Sequence, residues 1–289
     1  MKVFVTGASG FVGSAVVQEL LQAGYQVRGL ARSEESARQI EAAGAEAFRG
    51  SIDDPASLTR GATGMDGIIH TAYNHDFSQY EKAGQTEAQA IAALGQALVG
   101  SGKPLVVTSG LAGLANGSED DATTFGARPS EPAALALVPQ GVRATVVRLA
   151  SSVHDKGDHG FVPYLIQVAR STGKAAYIGD GQNRWTAVHH LDAARLFRLA
   201  LEQGEAGARY HGVGEEGIAF RALAEEIGRR LNVPVVSITP EEAPAHFGWM
   251  ARFAALDMSA SSQLTQQRLG WQPTHIGLLA DMEANYFGG

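Results

Sequence analysis

Short, continuous apolar runs alternate with longer stretches in which apolar residues recur every three or four positions, and this rhythm holds as far as residue 149. Runs without polar interruption suit strands covered on both faces, while the three-to-four period is one face of a helix. The pattern predicts strands over residues 3–5, 25–33, 45–50, 65–72, 105–109 and 142–149, with helices starting near 11 and spanning 34–43, 78–100 and 130–138. Asp54 before Pro55 reads as the cap of a further helix, with proline at the first helical position. Strands and helices in strict alternation predict an α/β chain with a doubly wound parallel sheet. Beyond 150 the rhythm changes: a polar, turn-like stretch over 150–160, an apolar helix over 161–171, a glycine-rich turn over 177–184 and a strand over 185–189. A helix over 192–201, a strand over 210–213, a helix over 220–231 and a strand over 235–238 follow. Residues 1–150 are expected to form one domain with 187–203 packed back on it, and 151–186 with 204–289 a smaller C-terminal α/β lobe that binds substrate.

The first turn carries the chemistry. Thr6-Gly7-Ala8-Ser9-Gly10-Phe11-Val12-Gly13 joins the first strand to the first helix. Glycines at that spacing let the backbone approach a pyrophosphate and aim the amide-rich end of the helix at it. A dinucleotide is therefore expected on Gly7, Ser9, Gly10, Phe11, Val12 and Gly13, in a Rossmann arrangement. The second strand exits on Ala31-Arg32-Ser33, where a carboxylate would accept from an adenosine 2′-hydroxyl. Arg32 can instead fork onto a 2′-phosphate, with Ser33 beside it, so NADP is favoured and NAD remains possible. Ser51 and Ile52 after the third strand, Thr71, Ala72 and Tyr73 after the fourth, and Thr108 at the end of the fifth complete the expected cofactor contacts.

Composition narrows the partners. Apolar residues are 45% and charged residues 18%, no cysteine is present, and formal net charge is −7. Disulfides, thiolate metal sites and a cysteine nucleophile are excluded. The negative balance gives no electrostatic case for nucleic acid, and no apolar stretch is long enough to span a bilayer, so a small-molecule substrate is expected. The chain opens directly on a strand, which leads to the expectation of a cytoplasmic protein without a leader. A monomer or homodimer is expected, and the small-residue surface of the 78–100 helix could serve a partner subunit as easily as the core.

Together these stretches resemble the extended short-chain dehydrogenase/reductases, also called the NAD-dependent epimerase/dehydratase family. The glycine turn is similar to that family's cofactor motif, Asp66 to Ala72 to its fourth strand, and Arg148 to Asp158 to its arginine-led loop before a substrate-lobe helix. Gly179-Asp180-Gly181, Val188-His189-His190-Leu191-Asp192 and Leu269-Gly270-Trp271-Gln272-Pro273 resemble its later motifs. The resemblance implies catalysis by a tyrosine, a lysine four residues later and a serine or threonine. No tyrosine here has lysine at that spacing. Counting back from Glu131 puts Thr123 and Ala127 in the two positions, and Gly110 holds the hydroxyl slot. The chain thus looks like an atypical member lacking the pair.

A substitute acid must titrate beside the nicotinamide. Tyr73, with Asn74 and His75 on the same loop, Thr108, Ser109 and His154 are the candidates, and His154 could be oriented by Asp155. Asp155, Asp158 and His159 fit no recurring zinc spacing, and no metal is expected. Tyr164 and Trp185 would line a pocket or fill the core, Asn183 and Arg184 would face the cleft, and His189 and Asp192 would pack or cap. The expected activity is reduction of a small carbonyl-like substrate by hydride from NADPH. Two alternatives stay open: a non-catalytic NADP-sensing regulator, resembling the nitrogen-metabolite-repression regulators, and a sugar-nucleotide epimerase or dehydratase.

Overall fold

A computed structural model describes residues 1–74, 80–114, 116–122 and 129–288. The first half alternates as its pattern requires: β1 (Lys2–Thr6), α1 (Phe11–Gln22), β2 (Gln26–Ala31), α2 (Glu34–Ala42), β3 (Glu46–Arg49), α3 (Pro55–Ala62), β4 (Gly67–His70), α4 (Tyr80–Gln96), β5 (Pro104–Gly110), α5 (Ser130–Leu135) and β6 (Arg143–Leu149). Then come β7 (Ser152–His154), α6 (Phe161–Thr172), β8 (Ala175–Ile178), β9 (Arg184–His189), α7 (His190–Gln203), β10 (Arg209–Gly212), β11 (Glu215–Ala219), α8 (Phe220–Leu231) and β12 (Val235–Ile238). Four short helices finish the chain: α9 (Ala243–Phe247), α10 (Ala251–Ala254), α11 (Gln263–Leu269) and α12 (Leu278–Asn285). None of the described helices is long and apolar enough to cross a membrane.

Seven strands form one sheet in the order β3-β2-β1-β4-β5-β6-β10, every neighbouring pair parallel. This is the doubly wound Rossmann order, with its reversal between β1 and β4. Side-chain alternation explains why the strands read as unbroken apolar runs. Val3, Val5, Ile69, Val106 and Val147 face a core shared with α1, α2 and α7, whereas Phe4, Ile68, Leu105, Val107 and Val146 face one shared with α3, α4 and α5. Burying each such side chain contributes about 1.5–3 kcal/mol. The buried side of α4 (Ala90, Ile91 and Leu94) belongs to this second core. Asp54 caps α3 through a bond from the Ser57 amide (3.2 Å) with Pro55 at the first helical position, as the sequence indicates.

The second half departs from expectation in three places. The polar stretch after 150 contains a strand, β7, because Ser152 and His154 turn inward while Val153 is half-buried. β7 runs parallel to β9, and β11 pairs with β9 antiparallel through an irregular register, making a separate three-stranded sheet. Strand β10 is not part of the smaller lobe. It closes the large sheet beside β6, with His211 opposite Arg148. The reason is electrostatic as well as apolar. Arg148 is fully buried in β6 rather than opening a loop, and Glu131 receives its Nε and Nη2 at 2.9 Å each and is also paired by Arg209 of β10. The His211 imidazole, 3.3 Å from the same guanidinium, lies 2.7 Å from the Ser261 carbonyl. A lone buried cation would be costly, so the strands that supply its partners are drawn to it. The smaller lobe keeps its own core of Val162, Ile166, Phe220, Leu223, Phe247 and Met250, with Trp185 fully buried inside it.

Candidate cofactor and active site

The glycine turn is a backbone construction. Gly7 has φ +72°, where a side chain is strained, and a Cβ there would lie 2.7 Å from Thr71 Oγ1. At Gly13 a Cβ would stand 2.0 Å from the Gly7 carbonyl, so only glycine lets the first turn of α1 close against β1. Gly10 precedes α1 in an extended conformation, its amide bonded to the Gly7 carbonyl at 2.8 Å. The first turn of α1 has no side-chain cap and no acidic residue, which leaves the Phe11 and Val12 amides available to an anion. Thr71 Oγ1 donates to the Thr6 carbonyl (2.8 Å) and the Ala72 amide reaches Thr6 Oγ1 (3.4 Å), tying the exit of β4 to that turn. Gly7, Gly10, Gly13, Thr71 and Ala72 therefore converge, and this uncapped cradle fits a dinucleotide pyrophosphate.

The other strand ends are more varied. Arg32 is exposed and makes no ion pair among the described residues. Ser33 is engaged as the cap of α2, accepting from the Ser36 amide at 3.1 Å in a reciprocal box. Ser51 accepts from the Asp53 amide at 3.2 Å, and Ile52 is half-buried against the Phe4 core. Ser9, Phe11 and Val12 are partly exposed around the turn. Tyr73 is half-buried and Asn74 exposed just beyond Ala72, while His75, Thr123 and Ala127 lie outside the described residues.

Thr108 and Ser109 turn their hydroxyls to opposite sides of β5. Consecutive strand residues face opposite sides. Thr108 donates to the His70 carbonyl (2.8 Å), whereas Ser109 accepts from Ser130 on α5 (3.3 Å). Gly110, in the slot of the family hydroxyl, has open space where a Cβ would be.

His154 is also displaced from its expected role. It points into the protein, 1% exposed, and its Nδ1 lies 2.9 Å from Asp281 of α12 rather than against Asp155. Adjacent positions on β7 and its exit again face opposite ways. Asp158 accepts from the Tyr286 hydroxyl (2.7 Å) and the Gly160 amide (2.7 Å), so the trio of Asp155, Asp158 and His159 does not assemble. Burial pushes the Asp158 carboxyl above its ordinary range. Trp185 bonds the Phe253 carbonyl (3.3 Å) and Tyr164 the Phe247 carbonyl (3.1 Å). Asn183 holds the Ala254 and Leu256 carbonyls at 3.0 Å each, and Arg184 pairs with Asp257 (3.2 Å), so both side chains are engaged with residues 254–257.

A different set meets at the start of α7. His189 caps this helix by accepting from the Leu191 amide (3.3 Å), and Asp192 receives the Thr274 and His275 amides (3.1 and 3.0 Å), which are the capping and packing roles the sequence suggests. Asp155 Oδ2 lies 3.4 Å from His189 Nε2 and 3.0 Å from His190 Nδ1. The His190 ring packs on Phe11 of the glycine turn with centroids 4.9 Å apart, and His159 approaches the same phenyl ring edge-on at 6.0 Å. Burial draws both the His189 and His190 imidazoles below their ordinary range against the pull of Asp155. The sequence held one signal for this cluster, the double histidine at a strand-to-helix junction, but not its third member.

Comparison with known proteins agrees with this architecture. A family profile described as NAD(P)H-binding matches residues 7–148. An uncharacterized protein of Schizosaccharomyces pombe is 47% identical over 294 residues, spanning 99% of this chain and 100% of its own length. A farnesyl-dihydroquinoline-oxide ketoreductase of Stigmatella aurantiaca is 27% identical over 86% of this chain and 80% of its own. Among solved structures, a double mutant of dTDP-glucose 4,6-dehydratase from Streptomyces venezuelae, with NAD bound, shares the fold at a TM-score of 0.80 and 21% identity, over 99% of this chain and 96% of that one. With its NAD(P)-binding Rossmann domain and these relatives, the chain belongs to the extended short-chain dehydrogenase/reductase, or NAD-dependent epimerase/dehydratase, family.

Proposed function

We propose that the protein is an NADPH-dependent reductase of a small carbonyl compound. The observation that carries the cofactor choice is Arg32: exposed, free of any ion pair among the described residues, and first after β2, where a carboxylate would be needed to read an unphosphorylated ribose. A guanidinium there can clasp a 2′-phosphate in two bonds. The bound dinucleotide supplies hydride from C4 of its nicotinamide. Tyr73 is the residue we assign to donate the matching proton to the substrate oxygen, since it stands two residues beyond Thr71, whose hydroxyl bonds the Thr6 carbonyl at the exit of β4. Similarity to a ketoreductase supports reduction of a ketone as the direction of the reaction.

Calorimetry with NADPH and NADH, followed by turnover on a panel of aldehydes and ketones, tests the reading. NADPH is expected to bind more tightly, and Tyr73→Phe, which keeps the ring and removes only the hydroxyl, is expected to slow turnover by about 10²–10⁴-fold, a far larger effect than on NADPH affinity. Tight NADPH binding without turnover on any carbonyl would favour the nucleotide-sensing alternative, and wild-type rates in Tyr73→Phe would remove that residue as the acid.

A further inference from the structure

Asp155, His189 and His190 present one carboxylate oxygen and two ring nitrogens that all lie within 4.8 Å of one another. They come from distant parts of the sequence: one from just beyond β7, two from the junction of β9 and α7. In a purely structural network the carboxylate would accept a well-aligned N–H from each ring. Neither contact has that alignment. His190 Nδ1 is buried without a hydrogen-bond partner although Asp155 Oδ2 is 3.0 Å away, and His189 Nε2 is 3.4 Å from the same oxygen. Ligand atoms this close that do not bond one another can instead share a cation. The spacings support this, because two donors about 2.0–2.1 Å from a tetrahedral ion stand roughly 3.3 Å apart.

We propose that Asp155, His189 and His190 form a binding site for one divalent transition-metal ion of the zinc type. Two imidazoles and one carboxylate suit Zn²⁺, Co²⁺ or Fe²⁺, whereas Mg²⁺ and Ca²⁺ prefer all-oxygen shells. Three protein ligands leave a fourth position for water or a ligand oxygen. The surroundings hold the rings in place: His275 stacks on His189 at 4.5 Å and 12°, and Phe11 packs on His190. The Asp155 side chain is 22% exposed and gives an ion a way in. Ligation has one local cost. With Nε2 on the metal, the neutral His189 ring carries its proton on Nδ1, so the 3.3 Å cap bond from the Leu191 amide is given up. The ion would fasten the exit of β7 to the start of α7 beside the nucleotide turn, independently of whether a nucleotide or a substrate binds.

The test is equilibrium dialysis of untagged, chelator-treated protein against Co²⁺ and Zn²⁺, with metal counted by emission spectroscopy and Co²⁺ ligation followed by its visible absorption. About one equivalent per chain is expected, with Mg²⁺ failing to compete. His190→Ala and Asp155→Asn are each expected to weaken binding by about 10-fold or more, while His246→Ala on α9, remote in sequence and outside the cluster, leaves it unchanged. Thermal unfolding in the presence of chelator checks that each variant folds; if His190→Ala does not, the near-isosteric Asp155→Asn decides. Binding below about one-tenth of an equivalent by the wild type, or wild-type affinity in a folded ligand variant, overturns the proposal.

Discussion

The glycine turn after β1 and the histidine junction before α7 touch at Phe11, yet they are built by opposite means. The turn is eight consecutive residues whose function lies in the backbone: Gly13 matters because a Cβ would strike the Gly7 carbonyl at 2.0 Å. The junction works through side chains brought together over long chain separations, His154 with Asp281 and Asp155 with His189 and His190. A local backbone device tolerates almost no side-chain change but needs little help from the rest of the fold. A device assembled at long range depends on every element that carries a member.

The largest effect should come from breaking the turn. Gly13→Val forces heavy atoms into the Gly7 carbonyl, an overpacking that costs about 3 kcal/mol or more, and should abolish NADPH binding in calorimetry. Full NADPH affinity in that variant would mean the cradle is not where the nucleotide sits. Next in size is the junction's buried pair. Asp281→Ala leaves the buried His154 Nδ1 without its hydrogen-bond partner, which costs about 1–3 kcal/mol, read as a lower urea midpoint. Because the Asp281 side chain bonds His154 and Asn285 rather than any residue of the turn, NADPH affinity of the folded fraction should stay within about threefold; a large loss of affinity would show that the two regions are coupled.

Arg32→Ala sharpens the comparison from the nucleotide side. It is expected to weaken NADPH binding by about 10-fold or more and leave NADH nearly unchanged, since only the 2′-phosphate meets the guanidinium. Equal losses for both nucleotides would assign Arg32 a general role instead. The smallest effect is a pH dependence in the sheet that both regions share. Burial by itself raises the Glu131 carboxyl, but hydrogen bonds from Arg148 and Arg209 outweigh this and hold it below its ordinary value of 4.5. A carboxyl depressed in the folded state stabilises the protein above its unfolded value, and the contribution fades as pH falls from there through the folded value. Denaturant midpoints should therefore drop on acidification below about pH 4.5, and Glu131→Gln should flatten that limb while lowering stability at neutral pH.

What the sequence by itself determined is whatever rests on neighbours along the chain. Unbroken apolar runs specify strands covered on both faces, the glycine spacing specifies a turn open to a pyrophosphate, and Asp54-Pro55 specifies a helix start. Each is a short-range consequence of sterics or burial. The tertiary structure decided whatever depends on register and on pairing between distant segments. Whether Thr108 and Ser109 share a face follows from strand pleating, and β10 joins the large sheet through Arg148, Glu131 and Arg209, three residues no local pattern links. The same holds for the choice of Asp281 over Asp155 as the partner of His154, and for the meeting of Asp155 with His189 and His190. A charge or an imidazole can be read in a sequence, but its partner is fixed only when the strands that carry both have found their register.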